Sequence, residues 1–131
     1  MVERGLLDTS VVIDLDSVAS ELLPETLAIS AITLAELSAG PAAASSAQER
    51  AIRQDRLQRV EATFESMPFD AAAARAYGRV YAAVMASGRK PRRRFADLQI
   101  AATALALDVP LVTRSAKDFA GLEGLVHLIE V

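Results

Sequence analysis

Short apolar segments alternate with longer helical patterns along the whole chain, and this alternation restricts the possible folds more than any other feature. The apolar segments at residues 5–8, 27–32, 111–113 and 125–131 read as strands, and a short extended piece lies at 67–69. Strands that alternate with helices form parallel sheets with helices packed on their faces. We therefore predict an α/β fold with a short, mainly parallel sheet in a single domain, residues 1–131.

Three helical patterns define the layers expected around this sheet. Residues 47–66, and the stretch after Asp70, carry apolar side chains every three or four residues, which predicts amphipathic helices. Residues 95–107 are apolar on almost every side, so this helix should be buried between other elements. We expect Asp70 to cap the second of these helices and Gly88 to end it. Pro110 should stop the third.

A further helix is expected to begin at Thr33. Thr33 and Glu36 match the Thr-x-x-Glu capping box, and Gly40-Pro41 should end the helix. The apolar neighbours of Glu36 indicate that this turn is substantially buried, where a carboxylate is costly unless it is paired or bound to a cation.

The composition excludes several classes of site and of location. The chain has no cysteine and a single histidine, His127, so thiolate zinc sites are ruled out and histidine-based catalysis has little room. Every apolar run is interrupted well before the roughly 18 residues that a membrane span needs, and we identify no secretion signal near the N-terminus. We therefore expect a cytoplasmic protein without a membrane partner.

Four acidic residues lie just after predicted strands or at the starts of helices: Asp8, Glu36, Asp97 and Asp118. Because the carboxyl ends of parallel strands meet at one edge of a sheet, we expect these side chains to converge. Carboxylates gathered without cysteine or histidine suit Mg²⁺ or Mn²⁺. Such an ion lowers the pKa of a bound water and neutralises charge on a phosphodiester.

Each acid also has an ordinary structural interpretation. Asp8 can cap a helix, and Glu36 can complete the capping box. Asp97 can interact with the helix dipole or pair with an arginine, and Asp118 can be a simple loop residue. The placement that all four share is what favours the metal site.

A basic segment immediately precedes the apolar helix. Because the net charge is −3, a polyanion could bind only at a local patch of positive charge. The residues that could form one are Arg89, Lys90, Arg92, Arg93 and Arg94. They predict phosphate contacts that supply affinity rather than sequence choice, and the alternative is an ordinary solvated loop.

Four motifs follow one another along the chain: Leu6-Leu7-Asp8-Thr9-Ser10, Ile32-Thr33-Leu34-Ala35-Glu36-Leu37, Asp97-Leu98-Gln99-Ile100-Ala101-Ala102-Thr103-Ala104 and Leu111-Val112-Thr113-Arg114-Ser115-Ala116-Lys117-Asp118-Phe119. In order and spacing they resemble those of PIN-domain nucleases, and more narrowly those of the toxin members of VapBC toxin–antitoxin pairs. The resemblance covers essentially the whole chain and implies a three-layer α/β/α PIN-like fold with three or four acids holding Mg²⁺ or Mn²⁺. It also implies an endoribonuclease toxin of a type II system, which is inhibited by a cognate antitoxin and forms a homodimer or a toxin–antitoxin hetero-oligomer.

Asp8, Glu36 and Asp97 match the first three acids of this family. The fourth position departs from the family pattern, because Ser115 stands where Asp or Asn often follows the Thr-Arg pair, and Asp118 comes three residues later. The fourth ligand is therefore Asp118, Ser115 through a water, or absent. If the site is degenerate, the alternative function is a PIN-like module that binds RNA or a partner without cutting.

These matches assign roles by resemblance. Asp8 and Asp97 are expected to hold the main ion, with Glu36 as a further ligand or as the base that orients water. Asp118 is expected to support a second ion. Hydroxyls of Ser10 and Thr113 are expected in the outer shell. The helices between residues 47 and 85 are expected to expose an apolar stripe that receives an antitoxin segment or a second copy of the chain.

Overall fold

Five parallel strands form the centre of the protein, whose computed structural model describes residues 3–131. The strands are β1 Arg4–Leu7, β2 Thr26–Ser30, β3 Glu65–Met67, β4 Leu111–Thr113 and β5 Leu128–Glu130. Their order in the sheet is β3-β2-β1-β4-β5, and each neighbouring pair is parallel. The predicted α/β class with a parallel sheet is confirmed.

Helices cover both faces of this sheet. They are α1 Thr9–Ile13, α2 Ala31–Ala43, α3 Ala47–Thr63, α4 Ala71–Ala86 and α5 Phe95–Leu107. Leu6 of β1 packs with α4 and α5 on one face, while the next residue, Leu7, packs with α1, α2 and α3 on the other. This alternation follows from the two-residue period of a strand and produces the three layers.

The helix at residues 95–107 has the bounds and the burial that its sequence predicts. Most of its residues from Leu98 to Ala104 are fully enclosed. The Asp70 cap is also confirmed, because the Asp70 side chain accepts a hydrogen bond from the Ala73 N–H at 3.1 Å. Gly88 follows α4 with a φ of +83°, which suits a glycine at a helix end.

The two predicted ends of α2 are wrong. Ser30 caps the helix, accepting a hydrogen bond from the Thr33 N–H at 3.0 Å, so Thr33 lies inside the first turn. The helix also continues through Gly40-Pro41 to Ala43. Arg53 of α3 donates to the Gly40 carbonyl at 2.9 Å, which satisfies a backbone group near the proline that a helix alone would leave unpaired.

Smaller differences concern the strands and the expected apolar stripe. β3 lies at 65–67 rather than 67–69, and the last strand is confined to 128–130, because pairing with β2 and β4 sets their bounds. The single stripe expected over 47–85 is wrong, since α3 and α4 belong to the cores on opposite faces of the sheet.

The sheet order changes direction at β1, with β2 on one side and β4 on the other. In open parallel sheets this change creates a crevice beyond the strand ends, where ligands bind. Over residues 3–131, no helix combines the length and the apolar character that crossing a membrane requires.

Candidate active site

Asp8 lies at the carboxyl end of β1 and is only 5% exposed. Its backbone N–H donates to the Val112 carbonyl at 2.8 Å, which fixes the residue beside β4. Its Oδ2 accepts hydrogen bonds from the hydroxyls of Ser10, at 2.8 Å, and Thr113, at 2.9 Å. Although Asp8 immediately precedes α1, its side chain makes no capping hydrogen bond, so the structure does not support the cap interpretation.

The two hydroxyls that hold Asp8 also organise the turn after β4. Ser10 Oγ accepts from the Arg114 N–H at 3.2 Å, and Thr113 Oγ1 accepts from the Ser115 N–H at 3.0 Å. Ser115 is thus anchored through its backbone. The arrangement connects the first and last thirds of the chain at one carboxylate.

Glu36 is exposed, contrary to the expectation of a buried turn. Thr33 and Leu37, one turn apart on α2, occupy the buried face, which leaves Glu36 on the solvent side. The Glu36 side chain does not cap its own helix. Its Oε1 accepts a hydrogen bond from the Thr9 hydroxyl at 2.7 Å, which brings it to the beginning of α1, next to Asp8.

Asp97 lies in the first turn of α5 and has the clearest electrostatic signature of the site. Its pKa is raised to about 6, first by burial and then by the negative charges of Asp8 and Asp118, with a further contribution from Glu36. Arg94 acts in the opposite direction and lowers this pKa. The other three predicted acids therefore lie close enough to Asp97 for their charges to act on it.

Asp118 lies in the short 3₁₀ turn Ala116–Phe119 that follows β4. Its Oδ1 accepts a hydrogen bond from Arg94 Nη1 at 2.8 Å, and the same nitrogen lies 3.7 Å from Asp97 Oδ2. Arg94, predicted with the basic segment to contact phosphates, pairs with the acids and also lines the cleft beside them. The contact with Asp97 agrees with the arginine pair considered for that residue, since Arg94 precedes it by three positions, whereas local spacing does not indicate the bond to Asp118.

The donor set suits a hard divalent cation. All four side chains offer oxygens, and the only histidine, His127, lies exposed just before β5. In the described side-chain positions of residues 3–131, no three acids are close enough together to hold one ion. The fit rests on donor chemistry and on the mutual repulsion at Asp97, since a cation would relieve the excess negative charge.

A basic cleft of about 330 Å³ adjoins the acids at Asp118. Its charged lining consists of Arg89, Lys90, Arg93, Arg94 and Asp118. Arg92 does not line it and lies instead along a neighbouring groove beside Tyr81 and Met85. Apart from Arg94, the basic side chains of this segment are exposed.

Residues 5–124 match the family model of the PIN domain. The chain belongs to the PIN-domain family. It is 41% identical to Ribonuclease VapC5 from Mycobacterium tuberculosis (strain ATCC 25618 / H37Rv), over 97% of this chain and 95% of that protein. It is also 39% identical to VapC ribonuclease Y4jK from Sinorhizobium fredii (strain NBRC 101917 / NGR234), over 76% of this chain and 73% of that protein.

A solved structure places this PIN domain more narrowly. The crystal structure of a member of the VapBC family of toxin–antitoxin systems, VapBC-5 from Mycobacterium tuberculosis, matches it with a TM-score of 0.83 at 38% identity and covers 98% of both chains. The resemblance to VapC proteins inferred from the four motifs is thereby confirmed, together with the three-layer PIN-like fold.

Proposed function

We propose that this PIN-domain protein is a Mg²⁺- or Mn²⁺-dependent endoribonuclease and the toxin of a type II toxin–antitoxin pair, with residues 1–131 working as one nuclease domain. The observation that supports the proposal is that Asp8, Glu36 and Asp118 all lie close enough to Asp97 for their negative charges to raise its pKa, and that a basic cleft adjoins Asp118. The VapC relatives named as ribonucleases support RNA as the substrate.

Asp8 and Asp97 would hold the main ion. When bound, that ion would lower the pKa of a water and neutralise charge on the scissile phosphate. Ser10 and Thr113 would act through Asp8, because their hydroxyls hold its carboxylate in one orientation. Ser115 contributes its anchored backbone to the same turn.

Glu36 is the best placed of the four acids to act on water. Its carboxylate is exposed and held at one oxygen by Thr9, so it can orient a water and accept its proton, or serve as a third ligand. Asp118, which accepts a hydrogen bond from Arg94 at 2.8 Å, would be the fourth member of the acidic group.

The basic cleft would hold the phosphates of a single-stranded or looped RNA next to the acids. Arg89, Lys90 and Arg93 line it, and Arg92 would meet the strand farther out. These contacts position the backbone and carry no base recognition of their own.

The proposed partner is a cognate antitoxin. The solved relative is a member of the VapBC family of toxin–antitoxin systems, which supports a similar pairing here. A basic side chain of the antitoxin, inserted among the four acids, would displace the metal and stop cleavage. The resulting assembly would be a toxin–antitoxin hetero-oligomer, or a homodimer when the toxin is free.

Asp97→Asn tests the catalytic proposal. Removing a residue that merely orients a metal ligand costs about 10–100-fold, so loss of a ligand should reduce cleavage of a mixed RNA pool in Mn²⁺ by at least about 100-fold. The matched control is Asp108→Asn, which makes the same charge change just past the other end of α5. Asp108 is exposed and has a φ of +55°, a conformation that asparagine tolerates.

Full activity of Asp97→Asn would contradict the assigned site. If the wild-type protein binds RNA but does not cleave it with either Mg²⁺ or Mn²⁺, the result would instead support the alternative function, a PIN-like module that binds RNA without cutting. Sequencing the ends of the cleaved RNA would identify the substrate.

A further inference from the structure

Arg94 lies between two of the four acids, Asp97 and Asp118. Its Nη1 donates to Asp118 Oδ1 at 2.8 Å and lies 3.7 Å from Asp97 Oδ2, so one nitrogen bridges two carboxylates. All three side chains are partly enclosed, with between 28% and 39% of each exposed. An ion pair in such a place is screened less by solvent than one on an open surface.

The backbone on both sides of Arg94 fixes its position in the site. Arg94 ends the 3₁₀ turn Pro91–Arg94 and is the residue immediately before α5, while Pro91 at the start of the turn is buried. Asp97 follows one turn later, so the guanidinium and the carboxylate are held on the same rigid segment. The other arginines of the turn, Arg92 and Arg93, are exposed.

Arg94 brings one positive charge to a group of four acidic side chains. The four acids carry four negative charges when ionised, and one divalent ion together with Arg94 supplies three positive charges. A second divalent ion at Asp118 would have to displace a 2.8 Å hydrogen bond and share the space with a guanidinium. The side chain that follows the Thr113-Arg114 pair is a serine rather than a carboxylate, so it adds no negative charge to attract that ion.

We infer that Arg94 supplies the second positive charge of the active site, so that the protein binds one divalent ion where an uncompensated set of four acids would bind two. Arg94 is then a positioning residue that holds Asp118 beside Asp97 and away from a metal. This inference rests on the proposed metal-dependent function and specifies how many ions that function uses.

Counting bound Mn²⁺ tests the inference without measuring cleavage. Calorimetric titration of the full chain should give one Mn²⁺ per wild-type chain. Arg94→Gln removes the guanidinium charge and should expose a second site, with affinity for a second ion raised by roughly tenfold or more. Arg94→Lys keeps the charge and should remain at one ion.

Two further variants test whether the second ion depends on Asp118 and on the charge at Arg94 in particular. Arg94→Gln combined with Asp118→Asn should return to one ion, because Asp118 is the ligand that Arg94 releases. Arg79→Gln makes the same charge change on the exposed face of α4 and should match the wild type. Thermal unfolding of each variant without metal verifies that the chain is folded.

The outcomes separate the two proposals. Two ions in the wild type, one ion in Arg94→Gln, or two ions in Arg94→Lys would each overturn the role of Arg94 while leaving a metal-dependent nuclease intact. Failure of the wild type to bind Mn²⁺ at all would overturn the proposed function, and this inference with it.

Discussion

Asp8 shows how single residues acquire their roles in this protein. Its position at a strand end is visible in the sequence, but its partner Thr113 lies 105 residues further along the chain. A carboxylate that is 5% exposed must be hydrogen-bonded or paired, and here two hydroxyls perform that task. The residue is therefore oriented before any ligand arrives.

Asp97 should make the metal-free protein less stable at neutral pH. Its pKa in the folded state is about 6, against an ordinary value of 3.8, so the folded state binds this proton more tightly than the unfolded state. The free energy of unfolding therefore falls as pH rises from about 4 to about 6. Asp97→Asn removes this effect, so at pH 8 in the presence of a chelator it should raise the Tm by about 2–5 °C. This expected increase already allows for solvent screening, because 29% of the Asp97 side chain is exposed.

The same melting experiment at lower pH tests whether the change in Tm has the expected direction. The advantage of Asp97→Asn should shrink below pH 6 and disappear near pH 4, where the wild-type carboxyl is protonated. Glu61→Gln, an exposed acid on α3, should show no such pattern. A wild-type Tm at pH 8 equal to or above that of Asp97→Asn would contradict the electrostatic interpretation.

At the scale of elements, α4 and α2 show when a helix start is predictable. Asp70 caps α4 with its own side chain, three residues from its partner, and the pattern was evident in the sequence. At α2, Ser30 and Thr33 both satisfy the rule for a capping residue. The choice of Ser30 depends on where β2 stops, and pairing with β1 and β3 decides that.

Asp70→Ala should destabilise the protein by about 1 kcal/mol through loss of this cap. Chemical denaturation should show a lower midpoint with an unchanged dependence on denaturant concentration. Asp70→Asn keeps the capping oxygen and should recover most of the loss. Equal destabilisation by both variants would mean that charge, and not the cap, matters at this position.

The whole molecule combines a negative net charge with a basic cleft beside the acids. The chain carries −3 overall, so the proposed non-specific attraction to RNA would have to come from this cleft. The acids and the cleft meet at Arg94 and Asp118, so the proposed phosphate contacts would lie next to the proposed metal. Substitutions in the basic cleft should therefore affect RNA binding most, whereas substitutions of the acids should affect cleavage most.

Neutralising the cleft should weaken RNA binding and flatten its dependence on salt. Each phosphate contact with a single strand contributes about 0.7 to the slope of log affinity against log salt, so three lost contacts should reduce the slope by about 2. The cleft variant replaces Arg89, Lys90 and Arg93 with glutamine. The control replaces the exposed Arg59, Arg75 and Arg79.

Fluorescence anisotropy with a labelled single-stranded RNA, measured in chelator over a range of salt concentrations, gives both slopes. Only the cleft variant should depart from the wild type. Identical slopes for the two variants would assign the basic segment to an ordinary solvated loop.

The sequence by itself determined the features that depend on near neighbours. The period of apolar residues predicted the buried helix α5 and the alternation of strands and helices, and local spacing identified Asp70 as a cap and the acids at strand ends. Each of these features depends on residues that are only a few positions apart, so the order of residues in the sequence is enough to indicate it.

Only the tertiary structure decided which distant groups meet. The exposure of Glu36, the extension of α2 past Pro41 and the pairing of Arg94 with Asp118 each depend on packing between separate segments. Their energies come from burial and from charges brought within a few ångströms, and neither is encoded in local spacing. The motifs predict a site formed by the four acids, whereas the hydrogen bond from Arg94 to Asp118 joins residues that are 24 positions apart and depends on tertiary packing.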